Sequence, residues 1–356
     1  MKRQHFALIV AAAITALVVS SGAQQTPSQN PGGSEPPFRF RSGVELINVT
    51  ATVSDANGRF VPGLQQDDFL VYEDDQPVTV TQFSADRVPV SLGIALDTSG
   101  SMAGSKIQEA QAALDRLLNE LLDRQDEVFL YRFSNTPVLL QSWTKDRQQL
   151  SHALGRIEPN GGTAMYDTVA EAIPLTQQGQ NRKKALLLIS DGNDTASATT
   201  VRQVKTQIRE TETLVYAIGI DGTGGATTYQ PPPRAPMGGP VPRPFPRPGP
   251  FGGTPPMVPR PPSGGGGGYR RGGMTDERVN VVALRDMTDD SGGRTEIIRD
   301  PRDLNPATAS IADELSKQYY LGYPSSGKKD GRWHSIRVEV RNRNYRVRAR
   351  RGYTAS

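Results

Sequence analysis

The chain has 356 residues, a formal net charge of +4 and no cysteine, so it is long enough for two domains but has no disulfides, thiolate metal sites or lipid-modified cysteine. Only three histidines occur, which argues against a histidine-based zinc site. Six arginines within residues 222–275 account for the positive balance, so the charge gives no evidence of nucleic-acid binding, and we expect no nucleic-acid partner.

Residues 1–23 have the pattern of a secretory signal peptide. A short basic start is followed by an apolar run at 6–19 and by small residues up to Ala23, where cleavage would occur. An uncleaved anchor is the alternative, although the run is short for a bilayer span. We therefore expect a protein that is secreted or lies in the periplasm or cell envelope, with no transmembrane span after cleavage. Residues 24–43 are polar and proline-rich and are expected to form a disordered linker.

The segment 44–88 is expected to be all β. Apolar residues roughly alternate over 44–53, a turn signal follows at 55–58, and further strands are predicted at 69–73 and 78–83. Acidic residues cluster near these turns, which suggests either calcium binding or, more commonly, ordinary turn chemistry. They are Asp67, Asp68, Glu73, Asp74 and Asp75.

Strands and helices alternate from residue 89 to 317, which predicts an α/β domain with a doubly wound, mostly parallel sheet. Strands are predicted at 88–96, 127–133, 138–140, 184–190, 213–219 and 292–298. Helices are predicted at 106–122, 150–157, 164–175, 200–210, 276–289 and 304–317. Ser105 and Gln108 have the spacing of a capping box at the start of the first helix.

Two segments complete the predicted organisation. Residues 222–275 consist mainly of Pro, Gly and Arg and cannot bury enough apolar surface to fold alone, so we interpret them as a disordered insert within the α/β domain. Residues 318–356 have β periodicity. Because a hairpin of two or three strands is marginal by itself, this tail is expected to pack with 44–88 as a smaller β domain beside the sheet.

Five oxygen-bearing side chains follow these predicted strands. Asp97, Ser99 and Ser101 come after the first strand, Thr163 precedes a helix, and Asp191 comes directly after the fourth strand. In open α/β sheets ligands bind at the carboxyl ends of the strands, and the strand order 3-2-1-4 would place both aspartates at one edge. Hard oxygen donors suit Mg²⁺, Mn²⁺ or Ca²⁺ rather than zinc. The alternative is that these side chains only cap helices and turns.

This Asp-x-Ser-x-Ser, Thr, Asp order resembles the metal-ion-dependent adhesion site of von Willebrand factor A domains. The resemblance covers residues 90–317 and implies a Rossmann-like fold and a divalent cation, most often Mg²⁺. It implies that Ser99, Ser101 and Thr163 contact the metal, while Asp97 and Asp191 act largely through water. The family fills the open coordination position with Asp or Glu from a partner protein. The sequence therefore predicts an exported, metal-dependent adhesion module that is not an enzyme.

The flanking segments carry a second resemblance. Asp-Phe-x-Val-Tyr-Glu at 68–73, Tyr-x-Leu-Gly-Tyr at 319–323 and Arg-Gly-Tyr at 351–353 are similar to motifs of a bacterial exported family called von Willebrand factor A-related. This resemblance extends over nearly the whole chain after the leader. It implies no further functional residues, and the sequence indicates neither the identity of the partner nor the oligomeric state.

Two other functions stay open. An envelope or matrix protein could bind through the insert and through a basic ladder in the tail, although charged edge strands also serve to prevent aggregation. The ladder would consist of Arg341, Arg343, Arg346, Arg348, Arg350 and Arg351. A hydrolase is the other alternative, because residues 97–100 resemble the catalytic loop of aspartic proteases. A second such loop is missing, however, and Ser99 and Ser101 lack a plausible base.

Overall fold

The computed structural model describes residues 46–221, 279–325 and 330–355, all within one compact unit. The predicted leader, the linker and the insert fall outside these residues. The described strands are β1 (Leu46–Ser54), β2 (Phe69–Glu73), β3 (Gln76–Val78), β4 (Gln82–Ser84), β5 (Val90–Asp97), β6 (Glu127–Phe133), β7 (Pro137–Thr144), β8 (Lys183–Ser190), β9 (Leu214–Ile220), β10 (Thr295–Ile298), β11 (Tyr319–Pro324), β12 (Trp333–Val340), β13 (Arg346–Arg348) and β14 (Gly352–Thr354). The helices are α1 (Ser105–Arg116), α2 (Arg147–Leu154), α3 (Met165–Gln177), α4 (Val201–Arg209), α5 (Val281–Thr288) and α6 (Leu304–Lys317).

A six-stranded sheet forms the centre of the α/β part. Its order is β10-β9-β8-β5-β6-β7, in which only β7 runs antiparallel to its neighbour. Counted from β5, this is the order 3-2-1-4-5-6, so the first and fourth strands are neighbours as predicted. Every residue of β5 is buried, because helices cover both faces of the sheet.

Helices pack on the two faces of this sheet through separate apolar clusters. On one face Ile94 packs with α1, α2 and α6, whose buried side chains include Leu114 and Ile311. On the other face Phe129 packs with α3, α4 and α5. Gly93 permits this second cluster, because a Cβ at that position would lie 2.3 Å from the Phe129 ring. The two clusters hold the strands in register and so fix the edge where β5 and β8 end.

Strands from the sequence segments before and after the α/β part form a second layer. Sheets β13-β1-β11-β4 and β14-β12-β2-β3 are antiparallel and share one apolar core, which includes Val49, Phe69, Tyr319, Tyr323 and Ile336. The predicted fold class, a doubly wound sheet beside a smaller β part built from the two flanking segments, is therefore confirmed. The exact domain boundaries stay a prediction. Among the described residues no helix is both long and apolar enough to cross a bilayer.

Several local predictions are wrong. The N-cap of α1 is Gly104, with φ of +81° and no side-chain cap, so Ser105 lies inside the helix and the capping box does not form. A positive φ favours glycine, and glycine has no side chain that could cap the helix. The strand predicted at 78–83 is divided between β3 and β4, because Val80 is buried where the chain crosses from one sheet to the other.

The basic ladder that was one alternative for the tail includes arginines with internal contacts. Arg348 is bound to Glu314, and Arg350 is 7% exposed and donates to the Gly352 carbonyl at 3.0 Å. Arg341 donates to the Asp67 carbonyl at 2.6 Å. Arg348 and Arg350 therefore satisfy internal acceptors, since a buried arginine needs partners, whereas Arg341 is exposed.

Candidate metal centre

The carboxyl edge of the central sheet brings together the predicted donors. Asp97 is the last residue of β5, and Asp191 follows β8, the parallel neighbour of β5. Thr163 lies two residues before α3 and is held near β6, because the next amide, that of Ala164, donates to the Ser134 carbonyl at 2.6 Å. Two strands and the loop before α3 thus bring donors to one edge, which we call the rim.

Backbone hydrogen bonds fix the loop that follows β5. The Thr98 amide donates to the Phe133 carbonyl at 2.7 Å, and the Thr98 carbonyl accepts from the Asn160 amide at 2.8 Å. The Gly100 amide donates to the Gly161 carbonyl at 3.0 Å. The two loops that carry Ser99, Ser101 and Thr163 are therefore joined directly.

A chain of hydrogen bonds links four of the five donors. The Ser99 amide donates to Asp97 Oδ1 at 2.8 Å, and the hydroxyls of Ser99 and Ser101 lie 3.1 Å apart. The Ser101 hydroxyl donates to Asp191 Oδ1 at 2.8 Å. One carboxylate at each end and two hydroxyls between them therefore lie close together at the rim.

The fifth donor, Thr163, lies close to Gly192, the residue after Asp191. A Cβ placed on Gly192 would be 3.6 Å from Thr163 Oγ1. Thr163 is 4% exposed, and its backbone is paired with Thr195, whose hydroxyl accepts from the Thr163 amide at 3.0 Å and whose amide donates to the Thr163 carbonyl at 2.9 Å. The structure thus brings all five predicted residues to the rim, while their role in metal binding stays a prediction.

Asp97 is completely buried. Burial raises its pKa to about 6, hydrogen bonds from Ser190 and Ser99 act in the opposite direction, and the nearby charge of Asp191 adds to the rise. The Ser190 hydroxyl donates to Asp97 Oδ2 at 2.5 Å. A buried carboxylate at this position gains from a cation more than a solvated one would, because little water competes for it.

Lys106 provides a positive charge at the rim. Its ammonium forms an ion pair with Asp191 Oδ2 and donates to the Ser101 carbonyl at 3.1 Å. Sequence reasoning missed both Lys106 and Ser190. Ser190 could have been found as the last residue of β8, directly before Asp191. Lys106 could have been found in the first turn of α1, because the start of that helix faces the loop at 97–101.

Further polar contacts support the rim from outside. Asn135 Oδ1 accepts from the Gly162 amide at 2.7 Å, and Asp194 Oδ2 accepts from the Tyr166 amide at 2.9 Å. Asn280, the N-cap of α5, donates through Nδ2 to Asn193 Oδ1 at 3.1 Å. The Asp221 amide, directly after β9, donates to the Ile298 carbonyl at 2.8 Å. The residues that border the segment 222–278 are therefore fixed at the same end of the sheet.

The donor set fits a hard divalent cation. Two carboxylates and three hydroxyls converge, and the Lys106 ammonium shows that the rim accommodates positive charge at Asp191. No group of three or more His, Cys, Asp or Glu side chains suited to a metal occurs in the described part of the chain. Near the β2–β3 turn, Asp74 Oδ1 accepts from the Ser335 amide at 2.8 Å, which is ordinary turn chemistry.

The two histidines in the described segments do not serve the rim serines. His152 is exposed on α2, and His334 lies on β12, where its Nδ1 is 2.8 Å from Asp74 Oδ2. Neither forms a hydrogen bond with Ser99 or Ser101. The geometry therefore gives no activated nucleophile of the serine–histidine type.

Comparisons with known proteins identify part of the chain. Residues 92–193 match the family model described as von Willebrand factor type A domain. Human inter-alpha-trypsin inhibitor heavy chain H4 is 27% identical over 157 residues, which cover 40% of this chain and 16% of that protein. The match thus spans about a sixth of the relative's length.

Two bacterial proteins are among the solved structures with a similar arrangement. The conserved hypothetical protein BatB from Bacteroides thetaiotaomicron aligns with a TM-score of 0.44 and 21% identity, covering 64% of this chain and 98% of that chain. A von Willebrand factor type A protein from Catenulispora acidiphila aligns with a TM-score of 0.46 and 13% identity, covering 89% of this chain and 74% of that one.

Proposed function

We propose that this chain, which contains a von Willebrand factor type A domain at residues 92–193, is an exported module that binds an acidic side chain of a partner protein through a divalent cation. Ser99, Ser101 and Thr163 would contact the ion, most often Mg²⁺, and Asp97 and Asp191 would hold it largely through water. Such domains typically bind other proteins. The leader-like pattern of residues 1–23 supports export to the envelope or the medium.

The observation that carries this proposal is the hydrogen-bonded series from Asp97 through Ser99 and Ser101 to Asp191. Only two carboxylates contribute negative charge, so their combined charge equals that of a divalent cation and does not exceed it. Lys106 adds one further positive charge at Asp191. A rim with this balance favours one more anionic ligand, and the cation would supply the Lewis acidity that binds a carboxylate oxygen.

We predict that Asp97→Ala lowers Mg²⁺ affinity at least 100-fold in isothermal titration calorimetry, because it removes the buried carboxylate at one end of the series. Asp86→Ala is the matched control, since Asp86 is exposed and lies before β5, at the opposite end of the strand. Circular dichroism should show the same fold for both variants. Unchanged Mg²⁺ affinity in Asp97→Ala would contradict the proposal.

Partner binding provides the second part of the test. Capture of an acidic protein ligand should require Mg²⁺ and stop in the presence of a chelator. Capture that persists in chelator but disappears at high salt would instead favour binding through exposed arginines. The internal contacts of Arg348 and Arg350 leave less of the tail for that alternative.

A further inference from the structure

A cavity of about 290 Å³ lies next to the rim, between β6, β7 and the end of α2. Leu140 and Ile157 contribute apolar surface, and Arg132, Arg156 and Glu158 contribute charge. The volume is just below the usual range of small-molecule sites, so the cavity suits one or two side chains rather than a cofactor.

Asn160 connects this cavity with the candidate metal centre. It lines the cavity, and its amide donates to the Thr98 carbonyl, between Asp97 and Ser99. Asn160 and Thr163 are three positions apart in the chain, so their Cα atoms are at most about 11 Å apart. On the sheet, Arg132 pairs with Leu96, directly before Asp97. One extended peptide segment can therefore reach both places.

The charges in the cavity favour an anionic occupant. Across residues 46–221, 279–325 and 330–355, neither Arg132 nor Arg156 forms a hydrogen bond or an ion pair through its guanidinium group. Arg132 is half-buried and Arg156 is exposed. Glu158 is the one acidic residue of the lining, so positive charge exceeds negative charge. Guanidinium groups bind carboxylates in a bidentate manner, which gives both affinity and direction.

We propose that Arg132 and Arg156 bind a second carboxylate of the same partner, so that the module selects an extended segment with two acidic residues. The inference rests on the proposed function, because the first carboxylate is the one at the cation. A strand advances about 3.3 Å per residue, so the acidic residues should be separated by roughly three or four positions. The apolar part of the cavity would accommodate the methylene groups of a glutamate.

Two synthetic peptides of equal length test the inference. One carries a single Asp in a Gly/Ser background, and the other carries the same Asp and a Glu four positions later. With Mg²⁺ at low salt, the doubly acidic peptide should bind the full chain about tenfold more tightly in fluorescence polarisation. The difference should shrink at high salt, because part of the contact is exposed.

Charge-changing variants separate the cavity from the cation. Arg156→Glu should remove the tenfold preference while leaving Mg²⁺ affinity and binding of the single-Asp peptide unchanged. Arg132→Gln should reduce the preference, and Glu158→Gln should increase it. Arg124→Glu is the matched control, because Arg124 is exposed before β6, at the opposite end of the strand from the rim.

The outcomes distinguish this inference from the proposed function. Mg²⁺-dependent binding of both peptides with equal affinity, or a preference that survives in Arg156→Glu, would overturn the role of the arginines and leave the metal site intact. The same loss of preference in Arg124→Glu would reduce the effect to overall charge. Failure of both peptides to show Mg²⁺-dependent binding would overturn the proposed function itself.

Discussion

Asp97 combines complete burial with a negative charge at neutral pH, which costs free energy in the folded chain. Its pKa of about 6, raised mainly by burial, is above the value near 3.8 of an unfolded chain. A carboxyl group with a raised pKa contributes stability at low pH, and this contribution is lost as the pH rises through the folded-state value. Between about pH 4 and 6 the metal-free protein should therefore become less stable through this residue.

We predict that Asp97→Asn increases the stability of the metal-free protein at pH 7 by about 1–3 kcal/mol, because a neutral amide avoids the desolvation of a carboxylate. Urea denaturation with and without Mg²⁺ measures this. The wild-type protein should gain stability from Mg²⁺ and the variant should not. A variant that is less stable than the wild type in the absence of metal would show that the hydrogen bonds of Asp97 outweigh its desolvation.

Lys106 should lower the affinity of the rim for a metal, because its ammonium shares Asp191 with the cation. We predict that Lys106→Met binds Mg²⁺ about tenfold more tightly in calorimetry. Lys145→Met serves as the control, since Lys145 is exposed in the loop before α2. Equal or weaker Mg²⁺ binding by Lys106→Met would mean that the ammonium supports the site instead of competing for it.

At the scale of single elements, β12 shows a pH-dependent contact. Burial alone would lower the pKa of His334, but hydrogen bonds and charges from Asp74 and Asp330 raise it above its usual value near 6.5. The His334 ring also stacks on Tyr353, with centroids 5.4 Å apart. The protonated ring therefore holds together the β2–β3 turn, β12 and β14.

A raised histidine pKa gives stability that is fully present below pH 6.5 and lost as the pH rises through the folded-state value. We predict that the melting temperature of the wild-type protein falls more between pH 6 and pH 8 than that of His334→Gln. The difference should be small, because the partner carboxylates are partly solvated. Parallel pH profiles for the two proteins would show that this contact does not contribute.

Secondary structure was predicted best where the local pattern is strongest. β6 and α6 have the predicted bounds, because an apolar run and a helical stripe each specify one conformation. The division of the 78–83 segment depends on Val80, whose burial between two sheets has no local signal. The N-cap at Gly104 was missed because a side-chain cap is the commoner solution.

The candidate site was likewise predicted in part from the sequence. Asp97 and Asp191 could be predicted to meet, since parallel strands end at one edge, whereas the resemblance to von Willebrand factor A domains added Ser99, Ser101 and Thr163 to the set. Their connection to Ser190 and Lys106 could not, because it depends on side-chain directions at the ends of β8 and α1. Their action on a metal stays a prediction.

At the scale of the whole molecule, Glu314 connects the central sheet with the antiparallel layer. On α6 it accepts from Tyr216 Oη on β9 at 2.8 Å, from Thr52 Oγ1 on β1 at 3.1 Å and from Arg294 Nε at 3.0 Å. It also binds Arg348 on β13. This carboxylate is 9% exposed, so its contacts are screened little by solvent.

We predict that Glu314→Ala destabilises the protein by about 3–5 kcal/mol, because it removes the carboxylate that pairs with Arg348 and one of the two that pair with Arg294, which keeps Glu296. Glu314→Gln should cost less, since the amide oxygen still accepts hydrogen bonds. Urea denaturation measures both, and Glu120→Ala on the exposed surface is the control. A loss below 1 kcal/mol in Glu314→Ala would show that the layers are held by apolar contacts alone.

The fixed borders of the segment 222–278 have a practical consequence. Asp221 is tied to Ile298 and Asn280 to Asn193, so each border has its own attachment to the framework. The length of chain between them can therefore change without shifting the pairing of β9 and β10. A fluorescent reporter grafted between residues 221 and 279 would be attached close to Asp191, where its emission could follow the arrival of an ion or of a binding partner.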